Sequence, residues 1–327
     1  KSIMSHYSEK QFIYFSTAKV YNIMADNEEA KETKISNQNF SDMQEVNSIC
    51  NLLMYNNAFR RKEVLDFGLK HKQNLYEYCK IVSERLIENY MHNFVILRPT
   101  YLFGMEETEN YVYQTIEKAF LINDNLVLYN YDRDFVEYSY LEQVIEQVII
   151  TKYKGIINVS SGTQIGRNVF ENFLKDICVL CGKKYKKCVE YIGTKNRNIP
   201  SIKVCKLFGI SARSFEDCVR EMVYILYIKL VKHLDIIEEY YGGSFARVYR
   251  VSEKKKRESI VKIALGNGAN NGAVKLVNEI KQIISLKENK ETSKFLPEIY
   301  DITNYSNFAY INREIISGKK FEELAIQ

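Results

Sequence analysis

The feature that most narrows what this chain can fold into is a set of three short apolar runs, each leading into a distinctive loop: Phe12-Ile13-Tyr14-Phe15, Phe94-Val95-Ile96-Leu97 and Ile156-Ile157-Asn158-Val159. Runs with so little alternation suit strands buried on both faces of a parallel sheet, although the period alone does not exclude helix. Helix-length amphipathic segments lie between them. Tyr76 to Tyr90 sets Cys79, Val82 and Leu86 along one side, and Asn168 to Cys181 repeats Phe170, Phe173, Leu174, Ile177 and Cys178 at helical spacing. Strands alternating with helices predict an α/β domain.

With 327 residues the chain has room for about two domains. The stretch from Asn22 to about Leu75 is polar, rich in Asn, Glu and Lys, and reads as an insertion with helical pieces at best. After an expected helix from Phe215 to about Leu234 comes Tyr241-Gly242-Gly243-Ser244-Phe245-Ala246-Arg247-Val248-Tyr249, a Gly turn between strand-like runs. This divides the chain into 1–229 and 230–327. The charged cluster Glu253 to Glu258 is expected to tip a hairpin. The chain opens on Lys1 and stops at Gln327 within what reads as a motif, so it is read as a fragment truncated at both ends.

Composition removes several function classes. The 46 basic and 41 acidic residues are interspersed, and a net charge of +5 is too weak to make a nucleic-acid surface. The most apolar run, Met222 to Ile228, stops at Lys229 and is far short of the roughly 18 residues that span a bilayer. An odd count of 7 Cys at low density argues against a disulfide framework and for a reducing, cytoplasmic setting. Cys178 and Cys181 have zinc-like spacing, but both continue an apolar helix face and no second pair follows, so they read as buried thiols and no metal site is expected.

Tyr76 and Lys80 stand four residues apart, one turn along the same helix face. A nearby cation favours phenolate over phenol and suits a tyrosine to exchanging protons with a sugar or alcohol hydroxyl. Around this pair the blocks Ser16-Thr17-Ala18-Lys19-Val20-Tyr21, Ile96-Leu97-Arg98-Pro99-Thr100, Arg133-Asp134-Phe135-Val136 and Asn158-Val159-Ser160-Ser161-Gly162 follow in order. In these blocks the chain resembles the extended short-chain dehydrogenase/reductase family, the NAD-dependent epimerases, reductases and dehydratases of nucleotide sugars, over roughly residues 10 to 225.

The resemblance implies a partial Rossmann-type sheet whose first strands and Gly-rich phosphate loop would lie before residue 1, with NAD or NADP as cofactor. By position, Thr17 would hydrogen-bond the reacting sugar oxygen and Tyr76 would carry the proton. Lys80 would hold the nicotinamide ribose, Arg98 and Pro99 would open the loop that closes on the nicotinamide, and Arg133 would grip the substrate's phosphates. Sugar dehydratases follow their threonine with Asp and Glu, whereas this chain has Ala18 and Lys19, which disfavours dehydration. Epimerisation and keto-sugar reduction both stay open.

The second part carries a Gly turn at Gly242-Gly243, a strand Ile260-Val261-Lys262-Ile263-Ala264 with one central lysine, and a helix Ala273 to Leu286 containing Glu279. In that order they resemble the α+β N-terminal lobe of protein-kinase-like phosphotransferases, with Tyr310 to Gly318 as a hinge of the aminoglycoside-kinase type. The resemblance implies ATP with Mg as ligand, Gly243 near the phosphates, Lys262 on the α- and β-phosphates, Glu279 orienting it, and a small-molecule phosphate acceptor. The aspartates of catalysis would lie beyond Gln327. A rival reading takes Gly266 to Gly272 as a dinucleotide loop, which demands a parallel strand beside Ile260 to Ala264.

The resulting expectation is a cytoplasmic nucleotide-sugar epimerase or keto-sugar reductase fused to a small-molecule kinase-like domain, inactive as this fragment, with a homodimer left open. The competing class is a non-catalytic nucleotide-sugar-binding or scaffold protein. Thr17, Tyr76 and Lys80 being present together argues against decay of the site.

Overall fold

The computed structural model describes residues 10–23, 75–105, 108–121, 127–129, 133–180, 189–191, 202–240, 245–253, 257–266, 272–305 and 308–315. Nearly all of the polar stretch read as an insertion lies outside them. The chain forms two compact units, one drawn from Lys1–Tyr113, Leu128–Phe170 and Glu190–Cys218, the other from Gln114–Val127, Glu171–Val189 and Val219–Gln327. In chain order the last division falls inside the helix Phe215–Leu226, between Cys218 and Val219.

The order of elements up to that helix is β1 (Phe12–Phe15), a 3₁₀ turn (Ala18–Ile23), α1 (Leu75–Tyr90), β2 (Phe94–Pro99), β3 (Tyr101–Phe103), α2 (Tyr111–Leu121), β4 (Val127–Tyr129), β5 (Arg133–Glu137), α3 (Tyr138–Thr151), β6 (Gly155–Val159), β7 (Gln164–Ile165), α4 (Arg167–Leu180), β8 (Val189–Tyr191), α5 (Ile202–Phe208) and α6 (Phe215–Leu226). The three apolar runs are β1, β2 and β6, and they pair in parallel in the order β1-β2-β6, with Phe12 opposite Phe94 and Leu97 opposite Ile157.

Both faces of this sheet are covered, as parallel sheets require. On one side Ile87 of α1 and Met91, just past its end, pack on Ile96 and Ile156. On the other, Tyr140, Leu141, Val144 and Val148 of α3 and Val204 of α5 pack on Val95, Leu97, Ile157 and Val159. A strand's alternation sends Ile96 one way and its neighbours Val95 and Leu97 the other. The buried side of α1 differs from the expected one: Tyr78, Ile81, Val82, Glu84 and Ile87 are buried, whereas Cys79 is exposed. The face shifts because Glu84, which reads as solvated, has a buried partner.

A second small sheet, β3-β5-β7, pairs β3 with β5 in parallel and β5 with β7 antiparallel. Phe103, Phe135, Phe170 and Phe215 form an aromatic cluster over it, with ring centroids 5.0 to 6.0 Å apart. Helix α6 starts at a capping box in which Ser214 Oγ accepts from the Asp217 amide at 3.1 Å and donates to the Asp217 carboxylate at 2.7 Å.

In the second unit α6 runs into a π-helical turn at Tyr227–Val231, so the helical stretch ends three residues before the expected Leu234, and a strand begins at Asp235. The strands β9 (Asp235–Tyr240), β10 (Arg247–Glu253), β11 (Arg257–Leu265), β12 (Ile299–Tyr305) and β13 (Phe308–Arg313) form one sheet in the order β12-β13-β11-β10-β9, antiparallel throughout. Helix α7 (Gly272–Glu288) lays Ala273, Leu276 and Ile280 on Ala264, Ala309 and Ile311. Both neighbours of β11 run opposite to it, which overturns the dinucleotide-loop rival, since that reading required a parallel neighbour.

The start of α7 sits hard against the chain at Phe245, and a Cβ on Gly272 would collide with the Phe245 carbonyl oxygen. Backbone cannot step aside as a side chain does. Gly272→Ala is therefore expected to destabilise the second unit by about 1–3 kcal/mol, read from the shift in urea midpoint at unchanged m-value. An unchanged midpoint would show that the helix start moves freely.

Candidate functional site

In the first unit the chain leaves the parallel sheet at three neighbouring points, after Phe15, Pro99 and Val159, at the C-terminal ends of the strands. The ladder extends slightly past each end, with the Ser16 amide donating to the Leu97 carbonyl at 2.8 Å and the Thr100 amide to the Val159 carbonyl at 3.0 Å. Beneath these exits lies a buried polar network. Arg98 is wholly buried in β2, and its guanidinium grips the Glu84 carboxylate of α1 with two bonds, Nε to Oε1 at 3.1 Å and Nη2 to Oε2 at 2.7 Å. Its Nη1 donates to the Tyr21 hydroxyl at 2.7 Å, which in turn donates to Asn158 Oδ1 at 2.8 Å. Ser16 Oγ donates to Glu84 Oε1.

Burial works against the charge of Arg98, but the facing carboxylate and the Tyr21 hydroxyl more than offset it and hold the guanidinium above its ordinary value. Burial likewise raises Tyr21 above the usual phenol value, with Arg98 pulling the other way. The Arg98 side chain is engaged in this network, because β2 turns it inward toward α1. Pro99 beside it is also buried.

Above the network, Tyr76 is 52% exposed and its ring lies 5.7 Å from the Lys80 ammonium. Lys80 also donates to the carbonyl of Phe15, the last residue of β1, at 2.8 Å, and stands 5.1 Å from the Tyr14 ring. Thr17 follows immediately. It is largely buried, and its Oγ1 accepts from the Lys19 amide at 3.2 Å. Spacing on one helix and attachment to the end of β1 therefore bring Tyr76 and Lys80 to the loop that carries Thr17. Lys19 adds a second ammonium 5.7 Å from the Tyr76 ring and 5.5 Å from that of Tyr101. Arg133, buried at the start of β5, stacks on the Tyr101 ring at 4.1 Å and the Tyr111 ring at 5.5 Å.

Sequence reasoning gave Asp134 no role. Its carboxylate accepts from the Ser161 amide at 2.9 Å, Ser161 Oγ at 3.0 Å, the Gly162 amide at 2.9 Å and Thr100 Oγ1 at 3.1 Å. One side chain thereby pins the exits of β2 and β6 together. Burial raises its carboxyl above the usual range, and the four donors only partly counter that. Its signal was the pairing of Asp134 with Ser160-Ser161-Gly162, a turn with amides to spare.

In the second unit Lys262 points from β11 to Glu279 on α7, with Nζ 2.6 Å from the carboxylate and both groups half-buried. Gly243 and the rest of its turn lie outside the described residues, as do Ser317 and Gly318 of the expected hinge. Cys178 is buried and forms no disulfide among the described residues, and Cys181 lies outside them. Among the described residues no cluster of side chains suits a metal ion, and no helix is long and apolar enough to cross a membrane.

No protein-family model matches the chain, and no curated protein sequence does. Among solved structures it is similar to dTDP-glucose 4,6-dehydratase from Bacillus anthracis in complex with NAD, at 16% identity over 71% of this chain and 66% of that one, with a TM-score of 0.49. UDP-glucose 4-epimerase from Thermus thermophilus, also with NAD, matches at 14% identity over 68% and 66% with a TM-score of 0.47. UDP-glucuronic acid 4-epimerase from Bacillus cereus matches at 16% over 70% and 65% with a TM-score of 0.44. The chain thus spans just under two thirds of the length of each.

The buried pair yields a stability test. Glu84→Ala strands a buried guanidinium and is expected to cost about 3–5 kcal/mol in chemical denaturation, whereas Glu84→Leu with Arg98→Met replaces both charges by apolar volume and is expected to recover most of that loss. A single-variant cost below about 1 kcal/mol would mean that the pair does not hold the sheet to α1.

Proposed function

We propose that the first unit carries a nicotinamide-dependent site for a nucleotide sugar, of the epimerase or keto-sugar-reductase type. One observation carries the reading: the exposed Tyr76 phenol and the Lys80 ammonium share a helix face beside the Thr17 loop, at the C-terminal ends of parallel strands, where ligands of such sheets bind. Bound nicotinamide would supply or accept the hydride. The residues present fit its ribose end, because Lys80 uses one of its three N–H groups on Phe15 and keeps two for a ribose hydroxyl and the Tyr76 oxygen. Thr17 Oγ1 accepts from the Lys19 amide, which leaves its own proton free to donate to a sugar oxygen. Tyr76 then gives or takes the proton of the reacting hydroxyl. Arg133, fixed between two tyrosine rings, suits the diphosphate.

The Ala18 and Lys19 side chains offer no acid and base for eliminating water, so epimerisation or reduction is favoured over dehydration. Tyr76→Phe in the full-length protein is expected to lower turnover by roughly two to four orders of magnitude with nicotinamide affinity nearly intact. Turnover that survives the change would assign the proton to another group, and no turnover in the parent protein would favour the non-catalytic binding class.

For the second unit we infer an ATP-binding lobe of the protein-kinase-like type acting on a small molecule. The observation behind it is the ion pair of Lys262, on the third strand of the sheet, with Glu279 on the helix that follows, the arrangement that places a lysine on the phosphates of ATP in kinases. Lys262→Met in the full-length protein is expected to abolish MgATP binding measured by calorimetry. Undiminished binding by the variant would remove the central residue of this reading.

A further inference from the structure

Around the proposed proton-transfer tyrosine the first unit gathers more positive charge than that chemistry uses. Lys19 and Lys80 each place an ammonium 5.7 Å from the Tyr76 ring. Lys19 also lies 5.5 Å from the Tyr101 ring, and the Arg133 guanidinium lies 4.1 Å from the same ring. Three cations thus line a strip of two tyrosines. Asp134, next to Arg133 in the chain, accepts from four donors of its own. Among the described residues no carboxylate pairs with Lys19, whose contacts are the two aromatic faces.

Two ammonium groups brought to one ring repel each other, and aromatic faces offset that only in part, since an exposed cation–π contact contributes about 0.5–1 kcal/mol. An anion arriving between them relieves the repulsion. Lys80 and Arg133 already have uses in the proposed reaction, on the ribose and the diphosphate. Lys19 has none. Its position beside Tyr76 puts its partner on the sugar ring, near the hydroxyl that reacts, rather than on the diphosphate that Arg133 would hold.

We infer that Lys19 is a specificity-determining residue that selects a nucleotide sugar bearing a carboxylate on its ring. This rests on the nucleotide-sugar reading of the site and adds the chemical class of the sugar. A lysine suits the task as a compact charge on a flexible stem, able to follow a carboxylate that is displaced as the ring changes geometry. The Thr17 contact to the Lys19 amide fixes the root of that stem and leaves its tip to move.

The test compares glucuronate and glucose, each linked to UDP and to dTDP, in binding calorimetry with the full-length protein. The parent protein is expected to prefer the acid sugar by roughly tenfold or more, and Lys19→Met to bring the ratio close to one. Lys19→Arg, which keeps the charge, is expected to retain a preference for the acid. A parent ratio near one, or a ratio that Lys19→Met leaves unchanged while Tyr76→Phe still stops turnover, overturns the inference and spares the reading beneath it. Failure of the parent protein to bind any of the four compounds overturns both.

Discussion

A carboxylate and a guanidinium taken out of water together make the first unit's site possible. Glu84 and Arg98 lie at the junction of α1 with β2, where removing either leaves the other as an unpaired buried charge. Taking such ions out of water costs several kcal/mol each, so the pair survives only because its geometry is good and its remaining valences are filled. Tyr21 takes the free end of the guanidinium, Ser16 takes a carboxylate oxygen, and Asn158 fixes Tyr21. These partners come from the loop after β1, from β2, from β6 and from α1. The network therefore sets the mutual register of α1, β2, β6 and the loop after β1, and the Tyr76, Lys80 and Thr17 chemistry above inherits that register.

Where apolar contacts hold an element, local sequence was informative. The three apolar runs became the parallel sheet, and the apolar side of α7 became the face that covers the antiparallel sheet. Strand direction was not legible in the same way. Between Ile260 and Ala264 the residues suit either sheet type, and only the chain reversals on both sides of β11 decide it. The start of strand β9 was not legible, because Asp235–Tyr240 is mostly exposed and lacks an apolar core face that would separate it from a helix end.

The site was partly legible for a related reason. Four-residue spacing on a helix is a local property, so the convergence of Tyr76 and Lys80 could be read directly, whereas Lys262 facing Glu279 came only from the resemblance of the strand and helix order to a kinase lobe. Glu84 could not, because a lone acid on a helix reads as solvated until its partner is known. Arg98 was assigned to the cofactor by resemblance alone, and the carboxylate it meets in space lies fourteen residues upstream on a helix. Asp134 was missed because its partners, Thr100, Ser161 and Gly162, come from two other strand ends. Polar burial is a tertiary decision, and the sequence neighbourhood carries little of it.

Tyr76, Lys80 and Glu84 occupy successive turns of α1, and only the last is anchored in the core. The helix thus works as a ruler with one end clamped. At about 1.5 Å per residue the phenol stands roughly 12 Å from its anchor, and losing or gaining one residue between them would swing it about 100° around the axis, off the Thr17 loop. Length is therefore rigidly prescribed on the stretch from Tyr76 to Glu84, while upstream of Leu75 the ruler imposes nothing. A chain built this way can lengthen between Thr17 and α1 without disturbing where its reactive phenol sits, and it is there that the long polar stretch is found.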